Sequence, residues 1–227
     1  MYKNTFRVPT FSDLYYLRVG NTNLRPEKAT EYTLGVTWSG TPFDFTDFVS
    51  LTVDGYYNKV EDKIIAFPST YVWKMQNYGE VDITGIDVTL ATAIPLAEKI
   101  SMNLSGNYSW QKAIDVTNPD AKNYKHQLPY TPEHNGNVSA TIEMPWVNVG
   151  YTVTMVGKRY YLAQNIPANE IEGYNEHTAT LWREFKFKKC GLRLQAEVIN
   201  LTDAQYDVIK YYPMPGRSWR MTGIINF

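Results

Sequence analysis

Cysteine is almost missing. Cys190 stands alone in 227 residues, so no internal disulfide framework holds this fold. Its neighbours, KKCG, read as a tight turn carrying an incidental thiol. A charge excess of either sign is missing too. Lys and Arg number 22 against 23 Asp and Glu, a net charge of −1, and such a balance offers no basic surface for nucleic acid. No apolar run approaches the ~18 residues of a membrane helix, and the start shows no basic-then-apolar leader. Neither absence excludes a membrane, because a barrel strand needs only ~9–11 residues that are apolar at alternate positions. Catalytic signatures are absent as well: there is no H-E-x-x-H, C-x-x-C or G-x-S-x-G. The stretch GYTVTMVGKR superficially resembles a phosphate loop, but the spacing from Gly150 to Gly157 is wrong, and Arg159 stands where Ser or Thr belongs. His126, His134 and His177 are too dispersed to suggest a metal site. No catalytic residue, metal or cofactor is expected.

What is present is period-two alternation and a wealth of aromatic rings. Aromatics make up 15% of the chain and 18 of them are tyrosines, whose amphipathic rings suit a boundary between an apolar layer and water. In EYTLGVTW, Tyr32, Leu34, Val36 and Trp38 oppose Thr33, Gly35 and Thr37. In VSLTVDGYYN, Val49, Leu51, Val53 and Tyr57 oppose Ser50, Thr52, Asp54 and Asn58. Similar alternation recurs at GIDVTL and SMNLSGNYSW, then near 134–143, 147–157, 175–187, 191–200 and 217–227. The pattern predicts an all-β chain, an antiparallel meander of about nine strands. In the last of them Trp219, Met221, Gly223, Ile225 and Phe227 share one face.

The connections alternate in length. Short ones are expected near 39–46, 92–97, 144–146 and 188–190, and long ones near 61–79, 112–132, 158–174 and 201–216. Keeping every long connection at one end is the habit of an outer-membrane barrel, with short periplasmic turns and long extracellular loops. Two aromatic belts agree with this. Trp38, Phe43, Phe45, Trp146, Phe185, Phe187 and Phe227 gather near the short-turn ends. Tyr56, Tyr57, Tyr78, Tyr108, Trp110, Tyr160, Tyr161, Tyr174 and Trp219 gather near the long-loop ends. Ten tilted residues cover roughly 23 Å, close to the ~25 Å apolar band of such barrels. A soluble sandwich would show the same alternation with the apolar face turned inward, so the belts and loop lengths carry the choice. Residues 1–27, with two prolines and a helical turn capped at Thr10 by way of Asp13, read as an extracellular loop. Residues 28–227 read as barrel strands.

The long loops offer candidate ligand contacts: Tyr71 and Trp73 in the first, Arg159, Tyr160 and Tyr161 in the third, Tyr211 and Tyr212 in the last. Rings on a barrel mouth give contact area at small entropic cost. The alternative use of the same rings is to pack loops together or extend the upper belt.

Three segments resemble the TonB-dependent outer-membrane receptors. FRVPTFSDLYY…GNTNLRPEKATEYTLGV (Phe6 to Val36) is similar to the family's Pro-Thr turn followed by N-L-x-P-E. QNYGEVDITGIDVTL resembles an N-x-G…G-x-E strand, with Asp87 where Glu is commoner. EVINLTDAQYDVIKYYPMPGRSWRMTGIINF resembles the family's terminal segment. The resemblance implies the C-terminal part of a 22-stranded transmembrane β-barrel in the bacterial outer membrane, with the TonB-binding plug domain outside this chain. It implies uptake of a scarce nutrient energised by the TonB complex, with corrinoid first, then ferric siderophore or haem, and no cofactor. It also implies that the barrel-assembly machinery reads Trp219, Met221, Gly223, Ile225 and Phe227, and that lipid surrounds the wall. Two other readings stay open on the residues alone: a small complete porin or adhesin barrel, and a soluble glycan-binding β domain.

Overall fold

The computed structural model describes residues 1–68, 72–188 and 190–226. Its strands are β1 (Tyr2–Arg7), β2 (Glu27–Gly40), β3 (Phe48–Pro68), β4 (Trp73–Ala97), β5 (Ile100–Asp115), β6 (His134–Glu143) and β7 (Asn148–Val156). Next come two short loop strands, β8 (Arg159–Tyr160) and β9 (Glu170–Ile171), and then β10 (Tyr174–Lys186) and β11 (Gly191–Ile199). A second loop pair, β12 (Asp207–Ile209) and β13 (Tyr212–Pro213), precedes the last strand, β14 (Ser218–Asn226). Ten of them form one sheet in the order β1-β2-β3-β4-β5-β6-β7-β10-β11-β14, every pairing antiparallel. Each sheet strand lies beside the next sheet strand in sequence, so the sheet is a pure meander.

Three details differ from expectation. The sheet has ten strands where about nine were expected, the added one being β1, which pairs with β2 from Tyr2↔Tyr32 to Arg7↔Glu27. It stops short of Pro9, so the proline that argued for a loop from residue 1 sits just past the strand, where its missing N–H costs nothing. The expected loop at 61–79 is mostly strand: β3 and β4 run 21 and 25 residues and stay paired as far as Pro68↔Trp73. The ladder resumes past Asp62, whose φ is 55°, at Lys63↔Tyr78 and Ile64↔Asn77, making a tall hairpin that rises above its neighbours. The expected turn at 92–97 also lies in β4, and the chain reverses only at 98–99.

The register places the apolar residues on one face. Leu34 sits opposite Gly55, Val36 opposite Val53, Val53 opposite Val88 and Leu51 opposite Leu90. The row continues through Tyr108, Val138 and Val153 to Ala179, Val198 and Trp219. These side chains are not covered: Leu34 is 76% exposed, Val36 65%, Leu181 51% and Met221 89%. The opposite face holds hydroxyls, amides and acids. Thr37 meets Thr52 at 3.0 Å, Ser139 meets Thr152 at 3.0 Å, Gln111 donates to the Tyr56 hydroxyl at 3.0 Å, and Ser109 donates to Asp87. A soluble sandwich would bury the first face against a second layer. Here the apolar face is the bare one.

The buried hydrophobic core is accordingly small and displaced. Val60, Val81, Ala113 and Leu128 pack together near the long-loop ends, with Ala29, Tyr78 and Ile83 around them. Leu128 reaches this cluster because the β5–β6 loop folds back along β5, bridging Gln127 to Ile114.

Residues 8–26 carry the capped turn. In α1 (Phe11–Tyr15) the Thr10 hydroxyl accepts from the Asp13 amide at 3.1 Å, and the Asp13 carboxylate accepts from the Thr10 amide at 2.9 Å. Arg7 at the end of β1 adds an ion pair to Asp13 at 2.7 Å. Burial pushes the Asp13 pKa up, but the Thr10 hydrogen bonds and Arg7 outweigh it and hold the carboxyl below its usual value. A depressed folded-state pKa means the stabilisation is present above the ordinary carboxylate range and disappears as pH falls through the folded value. Protection of the amides at 10–21, taken relative to the intrinsic exchange rate at each pH, should therefore be high at pH 7 and fall below about pH 4. Asp13→Asn should already exchange faster at pH 7, by a factor matching the ~1 kcal/mol of a lost cap.

Candidate functional site

The long connections at 116–133, 157–173 and 200–217 are knitted into one body at the sheet's upper end. Gln127 and Asn165 clasp reciprocally: Asn165 Oδ1 accepts from the Gln127 amide at 2.6 Å and Asn165 Nδ2 donates to the Gln127 carbonyl at 3.1 Å. The Tyr130 amide donates to the Tyr160 carbonyl at 2.7 Å. Lys210 Nζ donates to the Glu170 carbonyl at 3.3 Å. Every loop thus has a partner in the next.

Arg159 is the central clamp. It is 4% exposed, and its guanidinium donates to the carbonyls of Asp207, Val208 and Glu172. Its Cζ lies 5.7 Å from the centre of the Tyr174 ring, which in turn stacks on Tyr206 at 3.9 Å. Burial draws the Arg159 pKa below its usual value, while Tyr174, Tyr130 and Asp207 pull the other way. Tyr206 donates its hydroxyl to Glu176; burial first, then that carboxylate, pushes its pKa up. Tyr206→Phe should leave the Glu176 carboxylate without its donor and lower the folded lifetime of the 200–217 loop, read by limited proteolysis as severalfold faster cleavage.

The terminal motif acts as a clip. Asn200, 1% exposed, accepts from the Ala204 amide at 2.8 Å and donates to the Ala204 carbonyl at 2.9 Å and the Pro215 carbonyl at 3.4 Å. Asp203 Oδ1 accepts from the Arg217 amide at 2.8 Å, and the Arg217 side chain donates to the Leu201 carbonyl at 3.0 Å. The N-L-T-D and P-G-R pieces therefore fasten the two roots of one loop together. Asn200 and Asp203 both adopt positive φ, 52° and 55°, a conformation that Asn and Asp tolerate better than most residues.

The candidate contacts divide on this framework. Tyr161 and Tyr211 come together edge to face at 6.4 Å, with Lys210 Nζ 5.9 and 5.7 Å from their centres. Tyr211 and Tyr212 are 75% and 70% exposed, so rings are offered to the outside. Trp73 sits apart from them, packed on Tyr130 at 5.2 Å. Arg159 and Tyr160 are spent on joining loops, the first by its side chain and the second by its carbonyl. Tyr71 lies outside the described residues, as does Phe227. Beside the tyrosine pair a cavity of about 480 Å³ opens between two loops, lined by Glu170, Glu172, Tyr206, Asp207, Lys210 and Pro213 among others. Sequence reasoning missed Lys210 and Tyr130. The only signal for Lys210 was its place inside YDVIKYYP, between tyrosines.

Residues 2–201 match the model of the TonB dependent receptor-like β-barrel family. The chain belongs to the TonB-dependent receptor β-barrels. Among curated relatives, the vitamin B12 transporter BtuB of Vibrio vulnificus is 22% identical over 96% of this chain. The chain spans 33% of that transporter's length. BtuB of Photobacterium profundum is 29% identical over 39% of the chain and 14% of its own length. Among solved structures, the copper transporter OprC superposes with a TM-score of 0.69 at 18% identity, over 98% of this chain and 36% of that one. The ferric-catecholate receptor Fiu of E. coli K12 gives 0.68 at 21%, over 99% and 32%. At these identities the superpositions speak for the fold alone. Membership in the receptor barrels places the bare apolar face in the outer membrane and the polar face toward the lumen.

Proposed function

We propose that this chain is the C-terminal barrel portion of an active outer-membrane importer, energised through TonB, which captures an organic nutrient complex at the clasped loops. Corrinoid is the first cargo to test, with ferric siderophore and haem next. The observation that carries the reading is the mouth itself: three loops held as one body around the buried Arg159, presenting Tyr161, Lys210 and Tyr211 beside a polar cavity. Exposed rings on a preorganised support bind large planar or ring-bearing ligands at low entropic cost. The curated relatives named for vitamin B12 transport support import as the class of activity. The outward row Trp219, Met221, Gly223 and Ile225 on β14 supports recognition of the last strand by the barrel-assembly machinery.

The test is binding and uptake by the full-length protein carrying this chain, using labelled cobalamin, ferric siderophores and haem. One of these should bind in the absence of TonB but accumulate in cells only when TonB is present. Tyr161→Ala with Tyr211→Ala should weaken binding of that cargo about tenfold or more, in line with the loss of two aromatic contacts. Uptake that proceeds equally without TonB contradicts the proposal.

A further inference from the structure

Among the described residues, the strands turn one charged side chain toward lipid between the two aromatic belts. Arg183 lies on β10 between Leu181 and Phe185, pairs across the sheet with Leu194, and holds its Cζ 4.9 Å from the centre of the Phe185 ring. That contact puts Arg183 on the same outward face as Leu181, which is 51% exposed. Among the described residues Arg183 has no carboxylate within ion-pair distance. A cation on the lipid face of a barrel is disfavoured, less so near the interfaces, and it persists where a headgroup or water meets it.

Directly beside it runs an apolar groove of about 440 Å³, walled by Leu181, Leu194, Ala196 and Met221. Its floor is Gly223, where an added Cβ would find only Leu194 Cδ2, at 3.8 Å, so the space above this backbone is open. The groove crosses β10, β11 and β14, and Arg183 stands toward its short-turn end, one outward position above the Phe185 belt. A cation at the interface end of an open apolar channel is complementary to an anionic phosphate bearing a hydrocarbon chain. Free phosphate would leave the groove empty, and hydrocarbon alone would leave the guanidinium bare.

We propose that this face holds one glycerophospholipid of the surrounding leaflet, with its phosphate on the Arg183 guanidinium and an acyl chain along the groove over Gly223. The Phe185 ring positions the guanidinium along the wall, and the phosphate supplies the acceptor that the protein does not. The bound lipid would cover the groove beside the last strand and smooth the outer wall there.

Native mass spectrometry of the full-length protein in detergent tests this, with phosphatidylglycerol as the probe and diacylglycerol of the same chains as the control. The unaltered protein should retain one phosphatidylglycerol and no diacylglycerol. Arg183→Gln should lower retention about tenfold or more, since a charge-assisted contact is lost. Ala196→Phe, which fills the groove from β11 directly opposite Met221, should lower it comparably. Arg183→Gln removes a charge from the lipid face, so poor folding cannot explain its loss of lipid, and heat-modifiable migration checks both variants. Equal retention of phosphatidylglycerol by Arg183→Gln, equal retention of diacylglycerol, or no retention by the unaltered protein would each overturn the proposal. Loss in Arg183→Gln with full retention by Ala196→Phe overturns the placing of the acyl chain in the groove.

Discussion

Arg159→Ala is expected to loosen the whole extracellular mouth while leaving the barrel wall paired. The guanidinium serves three carbonyls from two loops at a position that is 4% exposed. Truncation leaves those carbonyls dry and unpaired, at roughly 1–3 kcal/mol for each buried group that finds no water. A local loss of about 2–6 kcal/mol follows if two of the three remain unsatisfied. It should appear as faster hydrogen exchange across 157–173 and 200–217, with β3, β4 and β5 unchanged. Arg159→Lys should recover little, because an ammonium cannot span the separate carbonyl directions that the planar fork reaches. Cargo binding should fall with the exchange protection, since the Tyr161 and Tyr211 rings ride on the loops that Arg159 joins. Unchanged protection in the alanine variant would mean that the loops are held by Gln127–Asn165 and Lys210–Glu170 without it.

The second large effect concerns the wall. Val153 and Thr152 are adjacent on β7, yet they face opposite media. Val153 pairs with Val138 and His177 on the apolar face, while Thr152 meets Ser139 at 3.0 Å on the polar one. Val153→Arg should cost ~2–4 kcal/mol at mid-depth in the bilayer. Thr152→Arg should cost much less, because its guanidinium enters a hydrated lumen and loses only one hydroxyl pair. Reversible denaturation of the full-length protein in lipid, or the assembled fraction in cells, would show the difference. Equal costs would count against the orientation.

Orientation was the most legible feature of the sequence, and the reason is physical. In a strand a single-residue slip moves every apolar group to the wrong face, so Val53, Val88 and Tyr108 declare their register by alternation alone. Loop asymmetry then separated lipid from a buried layer. Strand ends were less legible. VEDKIIAF sets three charges in a row before four apolar residues, so the paired extension of β3 leaves no period-two trace. The strand at Tyr2–Arg7 hid behind Pro9, which constrains the residue just before it and not those further back. The site was the least legible part. Arg159 stood out for its charge, but its burial depends on carbonyls at Glu172, Asp207 and Val208, contacts that belong to loop conformation and leave no periodic trace. The N-L-T-D segment announced itself by resemblance, and its reason, a side-chain clip closing one loop, became visible only with Asn200 buried.

Outward-facing side chains in contact with hydrocarbon are the central claim, and nitroxide scanning of β7 tests it most directly. With Cys190 replaced by Ser, single cysteines at 149 through 155 of the full-length protein in lipid would each carry a spin label. Oxygen, which concentrates in hydrocarbon, should relax the labels at 149, 151, 153 and 155 strongly and those at 150, 152 and 154 weakly. A profile without that two-residue period, or with the even positions oxygen-accessible, would contradict the account.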